Sequence, residues 1–346
     1  MSIIIFLVFL LCCTSSVLST KDDEIALLKI KKQLGDPYGL GWWVKGFDYC
    51  NRSANVAPDY SDITCTSTGR VESLILKNLN VTKPFPDGIC SLTEMDYLEI
   101  YKIPVLYGPI PSCFTKLYNL VSLYITYTSL SGAVPDFSGR IKPSNLTFIN
   151  LSQNQFSGTI PSSFGSLPKL YYLDLSFNRL TGTIPPALLS TSSSSLELAN
   201  NNLTGEIPKC YGAVNFSVFI VRGNRLNGDP SFLFRKQQTA GNIELAHNDF
   251  KFDLSNVEFS DNLWGFDISH NKIYGRVPNS FATAAHLRYP NLSFNRLCGE
   301  LPQGGNMGQF DAAIFANNAC LCGYPLQPCS NSAPAPAPAP AFRPPF

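Results

Sequence analysis

Apolar and polar positions along this chain follow a pattern that returns every 23 or 24 residues. Asparagine follows an L-x-L-x-x stretch at Asn154, Asn178, Asn201, Asn224, Asn248, Asn271 and Asn295, with steps of 24, 23, 23, 24, 23 and 24 residues. The clearest copy reads Leu173-Asp174-Leu175-Ser176-Phe177-Asn178-Arg179-Leu180, followed by Gly182-Thr183-Ile184-Pro185. Alternation over so short a run predicts a strand rather than a helix. Each copy therefore supplies one strand whose two leucines point inward and whose intervening residue points outward. Earlier copies are looser: Leu123-Tyr124-Ile125 has Thr128 where asparagine belongs, and Leu98-Glu99-Ile100 and Leu74-Ile75-Leu76 lead into irregular loops.

A period of this length carrying L-x-L-x-x-N-x-L-x-G-x-I-P is the signature of leucine-rich repeats. The predicted fold is a right-handed, curved solenoid of about ten coils, with parallel strands about 4.8 Å apart on the concave side and 3-10 or irregular segments on the convex side. The recurrent asparagine turns inward, where its amide satisfies backbone groups left unpaired by the bend. The G-x-I-P segment predicts a glycine turn and then extended chain. Gly228-Asp229-Pro230 and Lys251-Phe252-Asp253-Leu254 break that pattern, so the convex side is expected to be irregular there. A solenoid must cover its open ends. At the front, Asp22-Asp23-Glu24 opens a helix in which Ile25, Leu28 and Leu34 form the apolar side among Lys29, Lys31 and Lys32, leading to Trp42-Trp43. The expected organisation is a signal peptide over 1–19, an N-terminal cap over 20–66, repeats over 67–297, a C-terminal cysteine cap over 298–330 and an Ala/Pro-rich tail over 331–346.

Charge and cysteine content narrow the function. The chain has 26 basic and 25 acidic residues, a net charge of +1, which argues against a nucleic-acid partner. Ile3 to Cys13 is an apolar run of signal-peptide length, and no other stretch approaches the roughly 18 apolar residues that span a bilayer. The mature protein is therefore expected outside the cytosol. Sequons at Asn51, Asn80, Asn145, Asn202 and Asn215 are candidate glycosylation sites, with two more at Asn150 and Asn291. Two of the 11 cysteines lie in the leader. Cys50 and Cys65 near the front, and Cys298, Cys320, Cys322 and Cys329 near the back, read as disulfide staples of the two caps. Cys90 and Cys113 fall on adjacent coils and either pair or, with Cys210, fill the convex layer as buried free thiols. Neither Cys320-x-Cys322 nor the pair His247 and His270 has the further ligands that zinc needs. No nucleophile-elbow or metalloprotease motif is present, so neither catalysis nor a cofactor is expected.

Several strings go beyond the generic repeat: Leu27-Leu28-Lys29-Ile30-Lys31-Lys32, Gly35-Asp36-Pro37-Tyr38, Leu130-Ser131-Gly132-Ala133-Val134-Pro135-Asp136-Phe137, Asp267-Ile268-Ser269-His270-Asn271-Lys272-Ile273-Tyr274-Gly275, and Cys320-Leu321-Cys322-Gly323. On these, from about Lys21 to Cys329, the chain resembles the plant polygalacturonase-inhibiting proteins. The resemblance implies a secreted, monomeric protein of the plant cell wall or apoplast that binds fungal or insect polygalacturonase through its concave sheet and touches pectin or other wall matrix. It also implies pairing of Cys298 with Cys320 and of Cys322 with Cys329, which spacing alone leaves among three connectivities. One departure concerns the family's second N-terminal disulfide: its positions here fall at Ser19 or Thr20 and at Tyr49, so a looser front cap is expected. The four Ala-Pro dipeptides from Ala333 to Pro340 resemble plant-wall modules and suggest tethering.

The outward residues of the strands are the candidate partner surface. Read coil by coil, they are Glu99, Tyr124, Asn150, Asp174, Glu197, Ile220, Glu244, Asp267 and Asn291, joined by Tyr101, Tyr127 and Ser176. Five of the nine are acidic. Like charges about 5 Å apart repel by about 0.8 kcal/mol even in water, so folding is expected to gain nothing from the row, and a basic partner explains it. Glycans at Asn150 and Asn291 would obstruct such a partner, so both are expected to stay largely bare. A second column, Arg179, Arg225, Lys272 and Arg296, is a candidate groove for anionic pectin, weighed against a solvated rim. Two other functions compete: a ligand-sensing or developmental protein that works with membrane receptors, and ice binding, which needs a flat array of threonine or asparagine that these mixed charges do not supply.

Overall fold

A computed structural model describes residues 20–50, 59–137, 145–186, 188, 194–236 and 240–329. The expected leader, the tail and the Asn51 sequon lie outside these. Ten parallel strands form the concave sheet: Val71–Lys77, Tyr97–Gly108, Ser122–Ala133, Phe148–Asn150, Tyr172–Asp174, Ser194–Glu197, Phe216–Ile220, Asn242–Glu244, Gly265–Asp267 and Tyr289–Asn291. Their inward residues, such as Leu98, Leu123, Ile149, Leu173, Leu196 and Phe219, are fully buried and run through the solenoid as one core.

The inward asparagines join one coil to the next. Asn178 donates through Nδ2 to the carbonyls of Leu175 and Ser176 in its own coil and of Leu151 in the preceding one, at 2.9 to 3.2 Å, while its Oδ1 accepts from Phe156 N at 3.0 Å. Asn201, Asn224, Asn248, Asn271 and Asn295 repeat the arrangement. Thr128, standing in for asparagine, accepts instead from Leu130 N of its own coil at 3.2 Å and donates its hydroxyl to Asn154 Oδ1 of the next. The residue before each of these positions is left-handed: Tyr127 before Thr128, and Gln153, Phe177, Asn200, His247, His270 and Phe294 before asparagines, have φ between 53° and 58°. That conformation disfavours L-residues by roughly 1–2 kcal/mol, and the asparagine bonds hold it in place.

The structure adds a second ladder on the flank. Gln155–Gly158, Arg179–Gly182, Asn202–Glu206 and Arg225–Asn227 pair in parallel, starting from the distal half of Ser122–Ala133. Each coil in this region therefore carries two strands where the alternation predicted one. Tyr97–Gly108 and Ser122–Ala133 run continuously into the flank; after Leu98-Glu99-Ile100 an irregular loop was expected. On the convex side, 3-10 turns at Ser112–Lys116, Ser162–Ser166 and Lys209–Ala213 each follow a proline, whose missing N–H is no loss at a helix start. Among the described residues no flank strand lies between Arg225–Asn227 and Tyr274–Gly275, across the two repeats whose glycine-proline pattern is broken, although single backbone bonds still join the coils there, from Asp249 N to Leu226 O, Lys251 N to Gly228 O and Tyr274 N to Phe252 O.

Both ends are closed. The helix Lys21–Gln33 buries Asp23, Ala26, Leu27 and Ile30; Ile25 is 58% exposed, so the apolar face is offset from the expected one. Asp23 is fully buried and takes both Nε and Nη2 of Arg70 at 3.0 Å and Val71 N at 2.7 Å, locking the helix onto the first coil. Ser61–Cys65 pairs antiparallel with Val71–Lys77 and covers the leading sheet edge. Where the related disulfide is missing, Tyr49 is buried, packs on Trp42, Trp43 and Phe47, and donates its hydroxyl to Val44 O at 2.9 Å. Aromatic rings pack the cap at that position. Disulfides join Cys50 to Cys65, Cys298 to Cys320 and Cys322 to Cys329. Cys90 and Cys113 also pair, stapling two adjacent convex turns, and Cys210 is an exposed thiol; none of the three is the buried free cysteine of the alternative reading. At the back, Pro290 removes a donor from the last concave strand, and Leu292 N and Phe294 N bond instead to Ile314 O and Ala316 O of the cap.

Candidate functional site

The parallel register makes one continuous row of the predicted outward residues. Glu99 pairs with Tyr124, Tyr124 with Asn150, Asn150 with Asp174, Asp174 with Glu197, Glu197 with Ile220, Ile220 with Glu244, Glu244 with Asp267 and Asp267 with Asn291. Tyr101 stacks edge-on against Tyr127 at 5.7 Å, with Lys102 Nζ 5.0 Å above its ring.

The row also serves the fold, contrary to the expectation that folding gains nothing from it. Oδ1 of Asp174 accepts from Ser176 N at 2.8 Å, and Asp267 accepts from Ser269 N at 2.9 Å. Asn150 and Asn291 make the same bond to Ser152 N and Ser293 N. These short side chains satisfy the amide freed where each strand ends. The glutamates, one methylene longer, reach sideways: Glu99 accepts from the Tyr97 hydroxyl at 2.8 Å, and Glu244 from Arg222 Nε and Asn242 Nδ2 at 3.0 Å each. Asp174 is buried at 7% exposure and Ser176 at 4%. Ser176 Oγ accepts from Ala199 N at 3.1 Å, so it also supports the next coil.

The centre of the row is electrostatically tuned. Burial raises the carboxyl of Asp174 above its usual range, and its bonds to Ser176, Ser152 and Tyr172 only partly offset this. Burial and then the charge of Asp174 raise Glu197. The Tyr172 hydroxyl is pushed up by burial and by both carboxylates, and Tyr124 by burial and Glu99.

A neighbouring outward column escaped the sequence reading. The residues two before each row position, among them Tyr97, Phe148, Tyr172, Val218 and Tyr289, line up in the same register. Tyr97 packs on Tyr124 at 5.7 Å and Phe148 on Tyr171 at 6.0 Å. The period-2 rule that selected the row selects this column equally, so the signal was present in the alternation. The concave face is thus acidic at its centre and aromatic toward both ends, with Tyr97 and Tyr124 at one and Tyr289 at the other.

Arg179, Arg225, Lys272 and Arg296 lie exposed at the starts of flank strands or turns. Asn202 and Asp249 separate them, and Lys272 Nζ is 2.6 Å from Asp249 Oδ1, so the column is a broken one. His247 and His270 stack with ring centroids 4.0 Å apart, and His270 stacks on Phe294 at 4.0 Å. Among the described residues no group of three or more histidine, cysteine or acidic side chains is placed to hold a metal ion. The sequon residues Asn80, Asn202 and Asn215 are exposed and Asn145 is half-buried. Among the described residues no helix is long and apolar enough to cross a membrane.

This architecture, with its repeated inward asparagine and free concave face, defines a leucine-rich repeat protein. The Leucine Rich Repeat family model matches residues 145–167 and 169–190. The chain is 37% identical over 321 residues to polygalacturonase inhibitor 1 of Arabidopsis thaliana, covering 93% of this chain and 96% of that one. It belongs to the polygalacturonase inhibitor family of leucine-rich repeat proteins. It is also 38% identical over 326 residues to the leucine-rich repeat protein FLOR 1 of the same plant, covering 94% of this chain and 98% of that one. Among solved structures, a plant ice-binding protein superposes with a TM-score of 0.83 at 34% identity, covering 91% of this chain and 99% of that chain.

Proposed function

We propose that this protein is a secreted, non-enzymatic inhibitor that binds a fungal or insect polygalacturonase in the plant cell wall and blocks it by occupying its substrate cleft. Family membership supports the target class. The single structural observation that carries the mechanism is the continuous row from Glu99 to Asn291, with Asp174 and Glu197 side by side at its centre. An enzyme that grips polygalacturonate, a polyanion, presents a cleft of positive charge, and that charge complements the row. Tyr101, Tyr124 and Ile220 add apolar anchors of the type that dominates interface energetics. Four disulfides fit an oxidising compartment. The broken basic column is read as a solvated rim that adds at most a weak pectin contact.

The test is binding and inhibition against a panel of fungal and insect polygalacturonases. Glu99→Lys and Glu197→Lys are expected to weaken a productive complex by about tenfold or more each, with folding retained by circular dichroism. Unchanged affinity for every enzyme on the panel would remove the charge mechanism. The similarity to FLOR 1 favours one second reading, a binding protein that inhibits nothing; silence across the whole panel would favour it.

A further inference from the structure

Two cavities open side by side at the C-terminal end of the concave face, beyond the acidic centre. One, of about 410 Å³, is bounded by Arg222, Asn242, Glu244, Trp264 and Gly265. The other, of about 510 Å³, lies between the last concave strand and the C-terminal cap, lined by Pro290, Phe310 and Ile314 with Arg288 and Asp311. Asp267 and Tyr289 line both, so they are lobes of one depression. Each has the size of a ligand site, roughly 300–1,000 Å³.

Its shape follows from two glycines. Gly265 occupies the outward position held by Asn242 on one neighbouring strand and Tyr289 on the other, and its lack of a Cβ lets the Asn242 side chain lie across it. Gly241 lets the Trp264 indole lie close to the backbone, since a Cβ there would sit 2.5 Å from Nε1. Trp264 and Tyr289 meet at right angles with centroids 6.3 Å apart, yet remain 44% and 72% exposed. Rings left so open in a concavity do little for the core and offer apolar faces to a ligand. Around them stand fixed polar groups: Glu244 is held by Arg222 and Asn242, and Asp267 by Ser269 N. Two arginines against three carboxylates nearly balance, so the depression has no strong field of either sign with which to select an ion.

We propose that this depression binds a neutral oligosaccharide, with one hexose ring on the step between Trp264 and Tyr289 and its hydroxyls bonded to Arg222, Asn242 and Asp267. A pyranose has apolar C–H faces and a rim of hydroxyls that both donate and accept. It is matched by an aromatic face flanked by rigid donors and acceptors. Two joined lobes suit a chain of two or three rings. The inference stands whether or not the acidic row docks an enzyme.

The test titrates the purified full chain with cellotetraose, mannotetraose and, as an acidic control, trigalacturonate, by calorimetry and tryptophan fluorescence. The other two tryptophans, Trp42 and Trp43, lie in the front cap, so Trp264 reports the depression. At least one neutral tetraose is expected to bind and alter the emission. Trp264→Ala and Tyr289→Ala should weaken it by about tenfold or more, and Tyr289→Phe by less than about threefold, with the unfolding midpoint unchanged. Preference for the gluco- or the manno-chain tells a wall glucan from a protein-linked glycan. Binding of neither neutral chain, binding that survives Trp264→Ala, or equal binding of trigalacturonate would overturn the proposal.

Discussion

At the scale of single residues, the acidic row holds two designs in one line. Aspartate and asparagine at the outward position bond the amide two residues on, so Asn150 and Asn291 do the backbone work of Asp174 and Asp267 without charge. Charge can therefore be removed from Asp174 without removing its bond. Because burial raises Asp174 and Glu197, the folded state holds their protons more tightly than the unfolded chain. Stability then declines as pH rises from the unfolded carboxylate range through the raised values, and the deficit persists above them. Asp174→Asn and Glu197→Gln should each stabilise at neutral pH by about 0.5–1 kcal/mol, the scale of a cross-strand charge pair. The gain should fade as pH falls below the unfolded carboxylate range, at about 4. Thermal unfolding of wild type and variants across pH 3 to 8 checks this; a gain independent of pH would mean that charge is not its source.

Among the elements, the N-terminal cap rests on packing where it lacks a cross-link: the buried Tyr49 ring packs among aromatic neighbours there. The Cys90–Cys113 staple lies beyond the cap and joins two adjacent convex turns. Tyr49→Ala empties a site among three aromatic neighbours and should cost about 3–5 kcal/mol, the range for large aromatic deletions. Cys90→Ser combined with Cys113→Ser should cost about 3 kcal/mol in the loop-entropy picture. Urea unfolding followed by tryptophan fluorescence monitors both, since Trp42 and Trp43 sit beside Tyr49. A loss below about 1 kcal/mol for Tyr49→Ala would mean the ring is ornament on a cap held elsewhere.

Over the whole molecule, about ten coils turn a local pattern into a surface, and docking through that surface should behave as long-range charge does. Complex formation with a polygalacturonase should weaken and slow steeply between about 0.05 and 0.5 M salt, as the screening length falls below the width of the row. Affinity that ignores salt would place the energy in the aromatic anchors instead. The repeat, its coil count, the inward asparagine and the outward acidic row were all legible in the amino-acid sequence, because a 23- or 24-residue period with alternating leucines admits one way of stacking. The second strand of the central coils, the offset helix face, the aromatic packing around Tyr49 and the depression beside Trp264 were not legible. These depend on which side chains from neighbouring coils come within reach, and neither a 23-residue offset nor composition encodes that distance. Local periodicity thus determined the backbone path. Contacts between coils decided which outward residues are exposed, which carboxyls burial raises above their usual range, and where the face is left open.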